Sequence, residues 1–286
     1  VNGMAGYSVT VSGLQGGHSG GDIHLGRASG NQVMGRVLFD AMKKFPGLRL
    51  AAVQGGQFDN VICSRCDAVV ALPKGSGRAF EAFIRELEGV LKNEYAVTDP
   101  DVTLTCAAAE TAKAVSAERT VTLVQALTAM PQGVEAMDTD FPGLVQTSLN
   151  MGVVKLDGDG LHIAFSIRSS IASRKLMLAQ RVRAVAALAG GTVAERGVYP
   201  GWQYKRESQF RDTLLAAYKD LTGKDGVVEA THGGLECGLL MEKIPGLDAV
   251  SMGPELHDVH SVRERLSVPS TERTYELVCE LLRRSC

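Results

Sequence analysis

The sequence lacks several features that would assign it at once to a functional class. It contains no uninterrupted apolar run near the roughly 18 residues that a membrane span requires. Its 30 basic and 32 acidic residues leave a formal net charge of −2, which gives no basic field for nucleic acid or an anionic membrane. The GxSxG, Walker A and HExxH motifs are absent. We therefore expect a globular protein that binds neither nucleic acid nor a membrane.

Cysteine is also sparse, with six residues in the chain. Cys63-Ser64-Arg65-Cys66 is a single CxxC motif, whereas a zinc ribbon needs a second pair of cysteines. A redox CxxC opens a helix, but this motif lies in the strand-like run 61–72. We expect reduced cysteines and a cytoplasmic protein. A redox or zinc-ribbon protein that uses Cys63 and Cys66 remains an alternative.

The length and the order of predicted elements indicate two domains in an α/β protein. At roughly 150 residues per domain, 286 residues suggest two. Residues 7–95 give the element order β-α-β-β-α, and residues 102–188 repeat it. We expect two tandem split β-α-β units, each an open sheet with helices on one face, and a strand at 192–196 that closes the second unit. These units form an α+β domain over residues 1–200.

The second predicted domain, residues 201–286, follows a change of composition after Tyr199-Pro200-Gly201-Trp202. Here we predict strands at 226–230 and 247–252, a polar loop at 253–267 and a last helix with Ser270 as its N-cap. This segment is too short for a complete doubly wound sheet and is typical of the end of one.

Three sets of residues are candidates for chemistry. Gly16-Gly17-His18-Ser19-Gly20 is either a plain turn or a loop whose glycines let the backbone approach a ligand that His18 faces. Arg168, at a strand end, is either solvated or makes a bidentate hydrogen bond to a carboxylate. His257-Asp258-Val259-His260 follows a predicted strand, where an imidazole can bind zinc, although the spacing also fits solvated histidines.

Several segments together resemble one family, the bacterial aminoacyl-histidine dipeptidases, which are zinc peptidases of the aminoacylase/carnosinase superfamily. The resemblance is strongest at residues 13–27 and at His232-Gly233-Gly234-Leu235-Glu236-Cys237-Gly238. The other similar segments follow the family's order and are residues 147–154, 168–170, 199–202 and 253–261.

The resemblance implies a zinc-binding catalytic α/β domain interrupted by a lid that also forms a homodimer. Residues 1–200 would be the lid, and residues 201–286 the C-terminal part of the catalytic domain. Two zinc ions would activate water for the hydrolysis of Xaa-His and similar dipeptides.

The resemblance also implies roles for individual residues. His260 would be the last metal ligand, and His18 would reach the partner subunit's active site to polarise the scissile carbonyl. Arg168 would hold the substrate carboxylate, and Asn150 would lie near the substrate. Backbone N–H groups of Gly234 and Leu235 would bind a substrate terminus.

The chain departs from the family pattern in two ways. Val262 and Arg263 stand where relatives have Pro and Asp after the His-Ser pair. The family's His-x-Asp, its Glu-Glu pair with the general base and a further Asp are missing, and they belong to a half that would precede Val1. We therefore expect a C-terminal portion of a dipeptidase that binds zinc poorly and is inactive alone. A non-catalytic dimerisation or peptide-binding module of the same descent is the alternative.

Overall fold

The computed structural model describes residues 3–111, 113–158, 160–259 and 261–285. They divide into two compact units, Val1–Gly197 and Val198–Cys286. None of the described helices is both long enough and apolar enough to cross a membrane.

In its described part, the first unit consists of a seven-stranded antiparallel sheet, a separate pair of two-residue strands and four α-helices. Its elements, in chain order, are β1 (Met4–Ser12), β2 (Gly17–His18), α1 (Gly30–Lys44), β3 (Arg49–Gly55), β4 (Val61–Ile62), β5 (Cys66–Pro73), α2 (Gly77–Glu94), β6 (Thr103–Ala109), α3 (Ala117–Ala129), β7 (Gly133–Met137), β8 (Val145–Asp157), β9 (Gly160–Ser169) and α4 (Ala172–Leu188). A short 3₁₀ turn, Ile23–Leu25, lies between β2 and α1.

The sheet joins both predicted β-α-β units. Among the described residues its seven strands run in the order β6-β1-β5-β3-β8-β7, and β9 pairs with β8. The long strand β8 makes this continuity possible, since it pairs with β7 near its start and with β3 near its end. The mixed α/β class is confirmed, but the expectation of two separate open sheets is wrong because β3 and β8 hydrogen-bond to each other.

Amphipathic helices bury one face of this sheet. The apolar positions of α1 and α2, among them Val37, Leu38, Phe80 and Ile84, are almost fully buried in one core cluster with the strands. The ring of Phe80 packs edge-on against Phe45 with 5.4 Å between centroids. Burial of these side chains is the main source of stability for the unit.

The second unit contains little sheet in its described part. Its elements are α5 (Gln209–Thr222), α6 (Glu236–Lys243), β10 (Leu256–His257), β11 (Arg265–Leu266) and α7 (Val268–Ser285). A small apolar cluster of Ala217, Leu277 and Leu281 joins α5 and α7.

Several sequence predictions are wrong in detail. Residues 192–196, 226–230 and 247–252 are irregular instead of strands, and β7 was not predicted. The polar loop at 253–267 contains the short hairpin of β10 and β11. The last helix begins at Val268, so Ser270 is not its N-cap but lies in its first turn, where its hydroxyl donates to the Ser267 carbonyl (2.8 Å).

Candidate functional site

His18 lies on a loop that is closed by several hydrogen bonds. The short strand β2 pairs with β4, which places His18 opposite Val61. The backbone N–H of His18 donates to the Asp22 carboxylate (2.8 Å), and the N–H of Asp22 donates back to the His18 carbonyl (2.8 Å). The glycine-rich segment is therefore a structured loop with a fixed path.

The imidazole of His18 is exposed, and the loop also fixes its orientation. Its Nδ1 accepts hydrogen bonds from the backbone N–H groups of Gly20 and Gly21, both at 3.2 Å. A nitrogen that accepts such bonds carries no proton, so the neutral ring carries its proton on Nε2. The ring therefore has an Nε2–H donor available for a ligand.

Arg168, near the end of β9, is partly buried, and its Nε is a buried atom with no hydrogen-bond partner among the described residues. Burial lowers the pKa of Arg168 below its ordinary value, and the negative charge of Asp59 partly offsets this by raising that pKa. A partly buried guanidinium is suited to bind an incoming carboxylate.

The structure brings His18 and Arg168 together at Gly20. A Cβ atom at Gly20 would lie 3.0 Å from Cε1 of His18 and 3.3 Å from Cζ of Arg168. The absence of a side chain at position 20 therefore allows the imidazole and the guanidinium to lie close together. These residues, 150 positions apart in the sequence, form one cationic and hydrogen-bonding cluster.

Asn150 holds the segment next to His18 in place by hydrogen bonds. It is 1% exposed, and its side-chain N–H groups donate to the carbonyls of Asp59 (2.7 Å) and Val61 (2.8 Å). These bonds hold the segment that pairs with His18. Direct binding of substrate by Asn150 remains a prediction, and its amide hydrogens are already committed to the protein.

Two further acidic residues were not found by sequence reasoning. The carboxylate of Asp59 raises the pKa of Arg168. Asp99 is fully buried and its carboxylate accepts hydrogen bonds from the N–H groups of Gln15 and Ala28, both at 2.8 Å. No sequence motif marks either residue, because their partners are distant along the chain.

The second unit contains the other predicted binding residues. Gly234 and Leu235 immediately precede α6, and Leu235 is its N-cap with an extended backbone. A Cβ at Gly234 would lie 2.7 Å from the Tyr199 ring. The ring therefore packs directly against the backbone of this segment and restricts its position.

The predicted metal ligand His260 lies outside the described residues. Next to it, Asp258 has a positive φ of 53°, and its carboxylate is 3.0 Å from the guanidinium of Arg265. No group of three or more His, Cys, Asp and Glu side chains in the described ranges is arranged to hold a metal ion. The other potential ligands, Glu236, Asp258, His232 and His257, thus form no such group, and the described residues do not fit a complete metal centre.

The CxxC motif has the properties of a buried structural segment. Cys63 and Cys66 are free thiols that are 1% and 0% exposed, and Cys66 lies in strand β5. Burial raises the pKa of both thiols. A reactive thiol needs the opposite shift, so this environment argues against a redox centre.

Comparisons with known proteins identify what this chain is similar to. Residues 3–99 match the family model of the M20 peptidase dimerisation domain. The chain is 32% identical over 278 residues to the cytosol non-specific dipeptidase of Escherichia coli (strain K12), covering 97% of this chain and 57% of that protein. The crystal structure of aminoacylhistidine dipeptidase from Vibrio alginolyticus matches with a TM-score of 0.91 and 31% identity, over 99% of this chain and 58% of that chain.

The chain therefore spans a little more than half the length of the relatives that it matches. The homologues are dipeptidases, and the matched family model is that of their dimerisation domain. Residues 3–99 therefore match the M20 dimerisation domain, and the chain as a whole is similar in sequence and fold to part of known dipeptidases.

Proposed function

We propose that this chain is part of a metallodipeptidase that hydrolyses Xaa-His and similar dipeptides in the cytoplasm. The observation that carries the proposal is the convergence of His18 and Arg168 at Gly20. They converge within a fold that matches an aminoacylhistidine dipeptidase at a TM-score of 0.91. Residues 1–200 serve as the lid and dimerisation domain, and residues 201–286 as the C-terminal segment of the catalytic domain.

Arg168 holds the free carboxylate of the dipeptide. Its guanidinium is partly desolvated, so a charge-assisted hydrogen bond to the carboxylate is stronger than it would be in water. A carboxylate bound at a fixed distance from the scissile bond selects short peptides. The proposed role of Gly234 and Leu235 is to donate backbone N–H groups to a dipeptide terminus.

His18 stabilises the oxyanion that develops at the scissile carbonyl. The loop holds its Nδ1 as an acceptor, so Nε2–H is the donor that points to substrate. The match of residues 3–99 to a dimerisation domain supports a homodimer, in which His18 acts in the partner subunit's active site.

The proposed cofactor is zinc, with two ions in the complete enzyme and His260 as one ligand. The described residues hold no group that fits a complete metal centre, so activation of the attacking water is not assigned to any of them. This chain alone is accordingly proposed to bind zinc weakly and to hydrolyse no dipeptide at a useful rate.

A second candidate is a non-catalytic dimerisation or peptide-binding module of the same descent. The match of residues 3–99 to a dimerisation domain favours it. This module would use Arg168 to bind a peptide carboxylate without cleaving the peptide.

A chimera separates the two candidates. This chain replaces the matching segment of the Escherichia coli dipeptidase, and hydrolysis of a dipeptide with C-terminal histidine is measured with added zinc. The enzyme proposal expects activity in the chimera, little zinc retained by this chain alone, and a raised KM in the Arg168→Gln chimera. A folded, dimeric chimera without hydrolysis supports the module. One or two zinc ions tightly held by this chain alone would contradict the incomplete-site proposal.

A further inference from the structure

The loop that carries His18 leaves strand β1 and returns to helix α1, and one side chain binds both of its ends. Asp99 lies between α2 and β6 and is 0% exposed. Its Oδ1 accepts from the N–H of Gln15, and its Oδ2 accepts from the N–H of Ala28, each at 2.8 Å. A single carboxylate thus links two points that lie before and after His18.

The backbone of Asp99 is itself fixed. Its N–H donates to the carbonyl of Tyr95 at the end of α2 (2.8 Å), and its carbonyl accepts from the N–H of Val102 (3.0 Å). The carboxylate is therefore attached to a rigid turn. Hydrogen bonds to a charged acceptor are stronger than neutral ones, and a buried donor left without one is costly.

The loop between these two ends is braced internally. The guanidinium of Arg27 donates to the carbonyl of Gly16 (2.7 Å), next to the bond between His18 N–H and Asp22. Each brace lies within the segment that Asp99 closes. A change at either end of the loop would therefore be transmitted to the ring of His18.

We infer that Asp99 is a positioning residue that holds the His18 imidazole in its observed orientation. Its importance for catalysis rests on the proposed function, but its effect on His18 does not. Asparagine has nearly the same shape but only one side-chain acceptor oxygen, so Asp99→Asn must leave Gln15 or Ala28 facing an N–H donor. Aspartate is therefore required at this position because it has two acceptor oxygens, and not because of its size.

The test is NMR of the 286-residue chain labelled with ¹⁵N, with the His18 resonances assigned by their loss in His18→Gln. In the unsubstituted chain, Nδ1 of His18 is expected at the shift of an unprotonated nitrogen. In Asp99→Asn it is expected to move toward the average of the two tautomers. The exchange of the Gln15 or Ala28 amide hydrogen is expected to accelerate by about tenfold or more, as for the loss of one charged hydrogen bond.

Asp101→Asn is the matched control, because Asp101 lies in the same turn with an exposed side chain. It should leave both readouts unchanged. Unchanged His18 shifts in a folded Asp99→Asn chain would overturn the inference even if its melting temperature falls, since a purely structural role predicts only that fall. If Asp99→Asn does not fold, the test is amide hydrogen exchange in the unsubstituted chain. Rapid exchange of the Gln15 and Ala28 amides would then overturn the inference. Neither readout requires hydrolysis, so failure of the proposed function would leave this test intact.

Discussion

The imidazole of His18 and the guanidinium of Arg168 lie against the same face of Gly20, each within 3.3 Å of the place that a Cβ would occupy. One group comes from the loop after β1 and the other from the end of β9. Their separation is set by the lack of a side chain between them. The cluster can therefore be disturbed without changing either functional group.

Gly20→Ala should displace one or both groups. A Cβ contact of 3.0 Å with the imidazole is tighter than normal, and the backbone of Gly20 is not in the left-handed region, so alanine itself is tolerated there. If His18 and Arg168 act as proposed, kcat/KM of the chimera with the Escherichia coli dipeptidase should fall by about 10- to 100-fold, because small displacements of catalytic groups have large effects.

Gly21→Ala is the control for this experiment. The nearest atom to a Cβ at Gly21 is Nδ1 of His18 at 4.0 Å, which is an ordinary contact. The two variants should have similar melting temperatures but different kcat/KM values. Equal loss of activity in both would show that the spacing at Gly20 does not matter.

Asn150→Ala should destabilise the first unit. It removes the two hydrogen bonds that the buried amide donates to the carbonyls of Asp59 and Val61, and each such bond contributes about 0.5–1.5 kcal/mol. We expect the free energy of unfolding to fall by about 1–3 kcal/mol, measured by urea denaturation. Asn150→Asp should cost at least as much, since a carboxylate cannot donate to either carbonyl. A loss below about 0.5 kcal/mol in both variants would remove the supporting role.

Most of the first unit was predictable because its elements have clear periodicity. The apolar positions of α1 and α2 repeat with helical spacing, and both helices bury those positions as expected. The continuity of the sheet was not predictable, because the pairing of β3 with β8 joins residues about a hundred positions apart. The predicted strands at 226–230 and 247–252 are irregular, since an apolar run becomes a strand only beside a neighbour that pairs with it.

The sequence singles out the two side chains that meet at Gly20, but not the residues that hold the loop. His18 and Arg168 stand in recognisable motifs, and their roles stay predictions, whereas Asp99 binds partners 84 and 71 residues away. The resemblance places Asn150 near the substrate. In the structure its amide donates hydrogen bonds to the carbonyls of Asp59 and Val61. Hydrogen bonds between distant backbone groups leave no local pattern in a sequence.

Cys63 and Cys66 should react slowly with a thiol reagent at pH 8. Burial raises their pKa values, so the thiolate fraction at this pH is smaller than that of an exposed cysteine and grows only at higher pH. We expect the number of fast-reacting thiols in the folded chain to be the same in a Cys63→Ser, Cys66→Ser variant. Full labelling in denaturant is the control for the reagent. Rapid reaction of either residue, or zinc lost specifically in the variant, would favour the redox or zinc-ribbon alternative.

Two glycine substitutions in the first unit should have opposite effects on stability. A Cβ at Gly55 would overlap the side-chain oxygen of Asn31 and lie 2.8 Å from Sγ of Cys66. Asn31 is fully buried and donates to the carbonyl of Met151 (2.9 Å), so it cannot move without losing that bond. We expect Gly55→Ala to lower the free energy of unfolding by about 3 kcal/mol.

Gly89 lies on the exposed side of α2, and a Cβ there would meet nothing within 4 Å. Gly89→Ala should therefore raise the free energy of unfolding by about 0.5–1 kcal/mol, because alanine restricts the unfolded chain and favours the helix. Urea denaturation followed through the amide signals of β3 measures both variants in the same unit. The two substitutions add the same methyl group, so a rise in both would mean that packing around Gly55 is looser than the structure shows. A fall in both would contradict the open surroundings of Gly89.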